Sequence, residues 1–214
     1  AFLIAAVLAL LLFLVGLDVW KSQKEAAFAH SGLSMGTVVT AQLYGPRGEN
    51  ASAALFSAFD TLERERISWR VESSEIAKIN ASSGSAVPIS EQTASYLRRA
   101  AEVSERSGGA LDCTVGALTK LWDIGGERAR VPSPGEIAAA LQTVGWQQVS
   151  LEARQAKLKS GQALDLGAIG KGIACDEAKR ILDDTHLSGA VISVGGSLLL
   201  WGSRPGGGDW KVGV

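Results

Sequence analysis

The spacing of apolar residues changes along the chain, and each spacing predicts a different element. From Thr37 to Tyr44, β-branched and polar residues alternate, which is typical of a strand with one buried face. Over residues 50–67, apolar residues recur every three to four positions, which predicts an amphipathic helix. Leu55, Phe59 and Leu62 are expected to lie on the buried face of that helix.

Capping residues mark two further helices. Ser90 precedes a helix predicted over residues 91–107, and residues 133–136 (Ser-Pro-Gly-Glu) form a capping box with proline at the first helical position. The remaining predictions are a short helix over residues 74–80, a hairpin over residues 149–159, a helix over residues 171–182, and strands over residues 190–194 and 198–202. Helices and strands mix without regular βαβ alternation, which predicts an α+β fold.

The first part of the chain is apolar. Residues 1–17 carry no charge, and Asp18 is the first charged residue. This run reaches the lower limit for a membrane span, and Trp20 suits the membrane interface. We therefore expect residues 1–20 to form a hydrophobic membrane-anchor helix, with a signal peptide as the competing interpretation. Residues 21–32 are predicted to be a linker and residues 33–214 a globular domain, in a chain that we interpret as a fragment.

Composition narrows the class of protein. Hydrophobic residues make up 46% and charged residues 20% of the chain, which favours a packed core over disorder. The net charge of −1 gives no support for nucleic-acid binding. Cys113 and Cys175 are far apart, and His30 and His186 belong to no recognisable constellation, so zinc sites and histidine-based triads are not expected. The two cysteines are expected to be buried or half-buried free thiols, with a disulfide between them as the alternative.

A glycine-rich stretch, residues 164–176 (LDLGAIGKGIACD), passes from an apolar run into a helical pattern. At such a turn, the backbone can approach a ligand closely, and the helix start presents N–H groups and a partial positive charge. These features suit the binding of a phosphate or pyrophosphate. Asp165 adds a carboxylate before the turn and Lys171 adds a positive charge within it. The Walker loop needs Ser or Thr after its lysine, where Gly172 stands, and the glycine spacing differs from that of the dinucleotide fingerprint.

Other unusual segments occur with this stretch, in a fixed order. They are Met35-Gly36-Thr37, Ser74-Glu75 followed by Asn80, residues 107–116 (SGGALDCTVG), Asp165-Leu166-Gly167 followed by Lys171-Gly172, and Gly195-Gly196. With these motifs, residues 34–214 resemble the ApbE family, the FAD:protein FMN transferases. Cys113 stands where the family has proline, and Ser197 where the family often has Asp or Asn.

The resemblance implies a T-fold-like α+β domain that binds FAD and Mg²⁺. Met35 and Trp69 would lie against the flavin or adenine, although the family often has tyrosine in place of Trp69. Ala110, Leu111 and Asp112 would line the FAD site.

The glycine-rich stretch would carry the catalytic part of the site. The resemblance implies that Asp165 and Lys171 bind the cofactor near its ribose or pyrophosphate and act in catalysis. The backbone carbonyl of Ala168 would be a ligand of Mg²⁺, a hard cation that prefers oxygen. The family's other Mg²⁺ ligands would lie beyond Val214, so the chain as given is not expected to hold Mg²⁺ productively.

The implied reaction moves FMN from FAD to a Thr or Ser hydroxyl of an acceptor flavoprotein of an electron-transfer complex, with release of AMP. The catalytic domain is expected outside the cytoplasm, anchored to the membrane. Three alternatives are a protein that binds FAD without transfer, an FAD pyrophosphatase, and an anchored domain with no cofactor.

Overall fold

The structure is a computed structural model that describes residues 11–14, 16–17, 27–82 and 84–213. Most of the predicted anchor helix over residues 1–20 lies outside the described residues. Within the described part of the chain, no helix combines the length and apolar character needed to cross a bilayer. The chain divides into two compact units, a first unit of Ala1–Phe59 with Ala174–Val214 and a second unit of Asp60–Ile173.

The first unit contains a four-stranded antiparallel sheet with the order β1-β2-β6-β7. Its strands are β1 (Ala27–Ser34), β2 (Thr37–Tyr44), β6 (Gly189–Val194) and β7 (Ser197–Gly202). The alternation predicted for β2 is confirmed, because Val39, Ala41 and Leu43 are buried. In the next strand, Ala190, Ile192 and Val194 are also buried, so the two central strands of the sheet bury the same face.

Strand β1 was not predicted. Residues 27–32, at the end of the expected linker, pair with β2 in a continuous antiparallel register from Ala27↔Tyr44 to Ser34↔Thr37. Strand β1 lies at the edge of the sheet, and most of its side chains are exposed. Its sequence therefore lacks the apolar alternation that would indicate a strand. Backbone pairing with β2 therefore makes this segment a strand.

The second unit is mostly helical and has a small three-stranded antiparallel sheet with the order β3-β5-β4. Its elements are a π-helix (Leu62–Ile67), α2 (Glu75–Ala81), β3 (Val87–Pro88), α3 (Glu91–Arg106), α4 (Gly116–Trp122), α5 (Pro134–Leu141), a 3₁₀ turn (Trp146–Gln148), β4 (Ser150–Glu152) and β5 (Gln155–Lys157). Two helices, α1 (Gly48–Thr61) and α6 (Gly167–Asp183), continue from one unit into the other.

The capping predictions are confirmed in the second unit. The side chains of Ser90 and Ser133 each accept a hydrogen bond from a backbone N–H of the first helical turn, and the capping box at Ser133 is complete. Ser74, which was not predicted as a cap, does the same for α2. Helix α6 begins at Gly167, before the predicted residue 171, because the carbonyl of Leu166 already accepts hydrogen bonds from two later N–H groups. Helix α4 had no cap or clear periodicity and was not predicted.

Candidate functional site

The chain around Asp165 passes from a buried segment into an exposed helix start. Leu164 and Leu166 are buried, and Asp165 between them is half-buried. The backbone N–H of Gly167 donates to Asp165 Oδ1 over 2.8 Å, which holds the carboxylate at the first residue of α6. The first turn of a helix carries N–H groups without intrahelical partners and a partial positive charge, so this position suits an anionic group.

Ala168 and Lys171 are exposed on the first turns of α6. The three glycines of this stretch, Gly167, Gly170 and Gly172, are helical and do not occur among the described residues with positive φ. None of these three positions therefore uses the left-handed conformation that glycine permits. Gly172 instead leaves open space, since a Cβ placed there meets no atom within 4 Å.

The loop of residues 107–116 is shaped by two glycines and one carboxylate. Gly108 and Gly109 have φ of 62° and 82°, the left-handed region that favours glycine. Asp112 Oδ1 accepts hydrogen bonds from the backbone N–H and the hydroxyl of Thr114, at 2.8 and 2.6 Å. This carboxylate therefore closes the turn that follows it.

One end of this loop is anchored and the other is open. Thr114 is fully buried, and its Oγ1 accepts a hydrogen bond of 2.7 Å from the N–H of Gly145. Ala110 is exposed and Leu111 is half-buried on the preceding part of the loop. These two residues, predicted to line the FAD site, remain accessible next to a fixed turn.

The loop pairs directly with the segment that carries Asp165. Val115 and Ala163 form a parallel bridge, in which the N–H of Gly116 donates to the Ala163 carbonyl over 3.0 Å. The N–H of Asp165 donates to the Cys113 carbonyl over 2.7 Å. A Cβ at Gly116 would lie 2.7 Å from the carbonyl carbon and oxygen of Ala163, so only glycine permits this approach.

The negative charges of the two carboxylates in these segments act on one buried thiol. Burial, together with the negative charges of Asp112 and Asp165, raises the pKa of Cys113 to about 12. Cys113 is therefore a protonated thiol at neutral pH and both described cysteines are free, as predicted. Although cysteine replaces the family's proline here, the turn between Asp112 and Thr114 is formed.

Trp69, predicted to lie against the flavin or adenine, is half-buried in the second unit. The guanidinium carbon of Arg70 lies 3.9 Å from the centre of the Trp69 ring, a cation–π contact. Arg70 also forms an ion pair with Asp123 at 3.9 Å. One face of the indole therefore carries the Arg70 guanidinium.

Met35 lies in the first unit, in the turn between β1 and β2. Met35 and Gly36 have φ of 54° and 68°, as a tight hairpin with two left-handed residues requires. The N–H of Gly195 donates to the Val38 carbonyl over 3.0 Å, and a Cβ at Gly195 would lie 2.9 Å from Thr37 Cγ2. The Met-Gly-Thr and Gly-Gly motifs are thus neighbours.

Each unit gathers its own motifs. The first unit joins the Met-Gly-Thr and Gly-Gly motifs, and the second joins the loop of residues 107–116 to the segment of Asp165. No sequence pattern indicated the close approach at Gly116 or the role of Asn80, whose side chain hydrogen-bonds the backbone of Leu164. The only signal for Asn80 was its place at the end of the Ser-Glu-x-x-x-x-Asn motif.

The described residues offer an incomplete set of ligands for Mg²⁺. In residues 27–82 and 84–213, with the short helical pieces before them, no group of three or more His, Cys, Asp and Glu side chains is arranged to hold a metal ion. The carbonyl of Ala168 belongs to the first turn of α6 and would supply a single oxygen. A hard cation takes several oxygen ligands, so these residues alone do not fit a complete Mg²⁺ site.

Comparison with known proteins shows the family to which the chain belongs. A sequence model described as the ApbE family matches residues 35–214. The chain belongs to the ApbE family. The match confirms the resemblance that the motifs indicated, and it includes residues of both units.

Named relatives are longer than this ApbE chain. A protein of Treponema pallidum named FAD:protein FMN transferase is 31% identical over 207 residues, which cover 87% of this chain and 57% of the relative. A protein of Escherichia coli with the same name is 27% identical over 226 residues, which cover 98% of this chain and 64% of the relative. The chain thus spans less than two thirds of the length of these relatives.

Solved structures of ApbE proteins share the fold. The ApbE protein of Thermotoga maritima has a TM-score of 0.81 and 28% identity, covering 86% of this chain and 62% of its own. The apo form of the flavinyl transferase ApbE of Pseudomonas stutzeri matches with a TM-score of 0.80 and 25% identity. This match covers 89% of the present chain and 63% of the P. stutzeri chain. The mixed helix-and-sheet fold expected for an ApbE domain is therefore confirmed.

Proposed function

We propose that this protein is a Mg²⁺-dependent FAD:protein FMN transferase. In the proposed reaction, a P–O bond of the FAD pyrophosphate breaks and AMP leaves. The phosphorus of FMN bonds to the oxygen of a Thr or Ser hydroxyl on an acceptor flavoprotein, and the hydroxyl proton is released. Family membership and the names of the relatives support this proposal.

The observation that carries the proposal is the pairing of the loop of residues 107–116 with the segment before α6. This pairing places the segments of Asp112 and Asp165 side by side, directly before a helix start that bears Lys171. Carboxylates accept hydrogen bonds from ribose hydroxyls, whereas a helix start and a lysine attract a pyrophosphate. The residues proposed to bind FAD are Met35, Trp69, Ala110, Leu111, Asp112, Asp165 and Lys171, with Asp165 and Lys171 also acting in catalysis.

The metal and the surroundings of the reaction belong to the proposal as well. Mg²⁺ would be held partly by the Ala168 carbonyl and would neutralise charge on the pyrophosphate oxygens. The acceptor would be a flavoprotein of an electron-transfer complex. We also propose an anchor formed by residues 1–20, with the flavin domain outside the cytoplasm. The uncharged run of residues 1–17 supports the anchor, and protease accessibility in intact cells tests the side of the membrane on which the domain lies.

An intact-mass assay tests the transfer. The full-length gene product is mixed with FAD, Mg²⁺ and a Thr-containing acceptor domain, with EDTA in a parallel sample. We expect the acceptor to gain the mass of one FMN and AMP to appear, and we expect EDTA to abolish both.

Site variants connect the activity to the proposed residues. Asp165→Asn retains the oxygen that accepts from Gly167 but removes the charge, and Lys171→Ala removes the cation. We expect each to lower transfer about tenfold or more with the fold intact. Lys179→Ala on the same helix is the matched control, because its exposed pair with Asp183 contributes little to stability.

The assay also separates the alternatives. FAD binding without a mass gain would indicate a flavin-binding protein, and release of free FMN with AMP would indicate a pyrophosphatase. Normal transfer with normal FAD affinity in both site variants would contradict the assignment of Asp165 and Lys171.

A further inference from the structure

The last turn of α2 carries a side chain that hydrogen-bonds the backbone next to Asp165. The Nδ2 group of Asn80 donates to the Leu164 carbonyl over 2.9 Å, and the N–H of Leu164 donates to Asn80 Oδ1 over 2.7 Å. A carboxamide has a donor and an acceptor on one planar group, so it reproduces the pair of bonds that a neighbouring strand would make. Asn80 therefore acts as a one-residue strand partner for Leu164.

The opposite edge of the same segment pairs with the loop of residues 107–116. The carbonyl of Ala163 accepts from Gly116, and the N–H of Asp165 donates to Cys113, at 3.0 and 2.7 Å. Backbone groups of successive residues thus alternate between the loop and Asn80. The backbone that leads into Asp165 is held from both sides.

Helix α2 is also fixed at its first turn. The hydroxyl of Ser74, the N-cap residue, donates to the carbonyl of Ser68, directly before Trp69. The carboxylate of Glu75 accepts from the backbone N–H of Ser90 over 3.0 Å. The helix therefore connects the residue before Trp69 to the residue before Asp165.

From this arrangement we propose that Asn80 is a positioning residue for FAD binding, acting through the backbone of Leu164 on Asp165. The inference rests on the proposed function, because it assumes that Asp165 contacts FAD. Asn80 itself touches the peptide backbone and is not a catalytic residue. Its loss leaves the N–H and carbonyl of Leu164 without these partners, so the backbone that leads into Asp165 is held only on the side of the loop.

Asn80→Asp is the informative variant. Its shape is conserved, but an ionised carboxylate accepts from Leu164 N–H and has no donor for the Leu164 carbonyl. Protonation restores the donor. The facing carbonyl and the partly buried position act to raise the pKa of the new carboxyl because they disfavour its charged form, and the hydrogen bond from the Leu164 N–H opposes them. Asn80→Leu removes both bonds at every pH, and Lys78→Ala, exposed on the same helix, is the control.

The measurement is the FAD dissociation constant from flavin fluorescence, at about pH 8 and about pH 5.5, with thermal unfolding followed at both values. We expect Asn80→Asp to bind FAD about tenfold or more weakly than wild type at the higher pH and to recover at the lower pH. Asn80→Leu should bind FAD weakly at both pH values, and Lys78→Ala should bind FAD with the wild-type affinity at both. Hydrogen exchange at the Leu164 amide should accelerate in Asn80→Leu.

The proposal would be overturned if Asn80→Asp bound FAD as tightly as wild type at the higher pH. It would also be overturned if Asn80→Asp lost the same FAD affinity, relative to wild type, at both pH values. If Asn80→Leu does not fold, Asn80→Asp compared with itself at the two pH values still decides the question. Wild-type protein that binds FAD but transfers no FMN would contradict the proposed function alone, because this test measures affinity.

Discussion

Side chains take part differently in the two groups of ApbE motifs. In the first unit, the residues after the turn at Met35 meet Gly195 through backbone pairing and through the absence of a side chain at the glycine. In the second unit, backbone bonds and the close approach at Gly116 also join the loop of residues 107–116 to the segment of Asp165, but side chains add further bonds, with Asp112 bonded to Thr114 and Asn80 bonded to Leu164. The first arrangement should therefore be sensitive to an added Cβ, and the second also to the loss of a polar atom.

The largest effect is expected at Gly195. Its φ is 52°, and an added Cβ would lie 2.9 and 3.0 Å from Thr37 Cγ2 and Cβ. Gly196 has a φ of 95°, but a Cβ there meets no atom within 4 Å. We expect Gly195→Ala to lower the free energy of unfolding by about 3 kcal/mol and Gly196→Ala by about 1 to 2 kcal/mol. Urea unfolding measures both, and equal losses would show that the contact with Thr37 has no cost.

A smaller effect is expected from Thr114→Val in the second unit. The change removes the hydroxyl that donates to Asp112 and accepts from the Gly145 N–H, while it conserves the shape of a buried side chain. Loss of these bonds should lower the free energy of unfolding by about 2 kcal/mol. Thr114→Ser keeps the hydroxyl and is the control. The same loss in both variants would assign the effect to packing instead of hydrogen bonding.

The smallest effect should depend on pH. Burial acts to raise the pKa of Glu75, but hydrogen bonds from Thr93 and Ser90 and the charge of Arg66 outweigh it and lower the pKa below 4.5. Because the folded-state pKa is the lower one, Glu75 stabilises the fold fully above pH 4.5, and this contribution is lost as the pH falls through the folded-state pKa. We expect Glu75→Gln to lower the free energy of unfolding by about 1 kcal/mol at neutral pH.

The difference between Glu75→Gln and wild type should therefore narrow in acid. Denaturant unfolding at several pH values measures it, with Glu72→Gln as an exposed control. A difference that stays constant with pH would mean that the charge of Glu75 has no part in its effect.

Parts of the fold and of the site were predictable from short patterns. The caps at Ser90 and Ser133 and the alternation in β2 appear in the structure as predicted. Strand β1 was not predictable, because an exposed edge strand needs no apolar alternation. In the site, the motifs indicated Asp112 and Asp165, but no pattern showed that Gly116 lies against Ala163.

The sequence by itself determined the elements whose signals are local and, through its motifs, the family. A cap or an amphipathic period involves residues within a few positions of each other, so it can be recognised along the chain. Only the tertiary structure decided that Asn80 bonds to Leu164 and that the N–H of Asp165 bonds to Cys113. Each of these contacts joins residues that are distant in sequence, and their pairing depends on how the intervening elements pack.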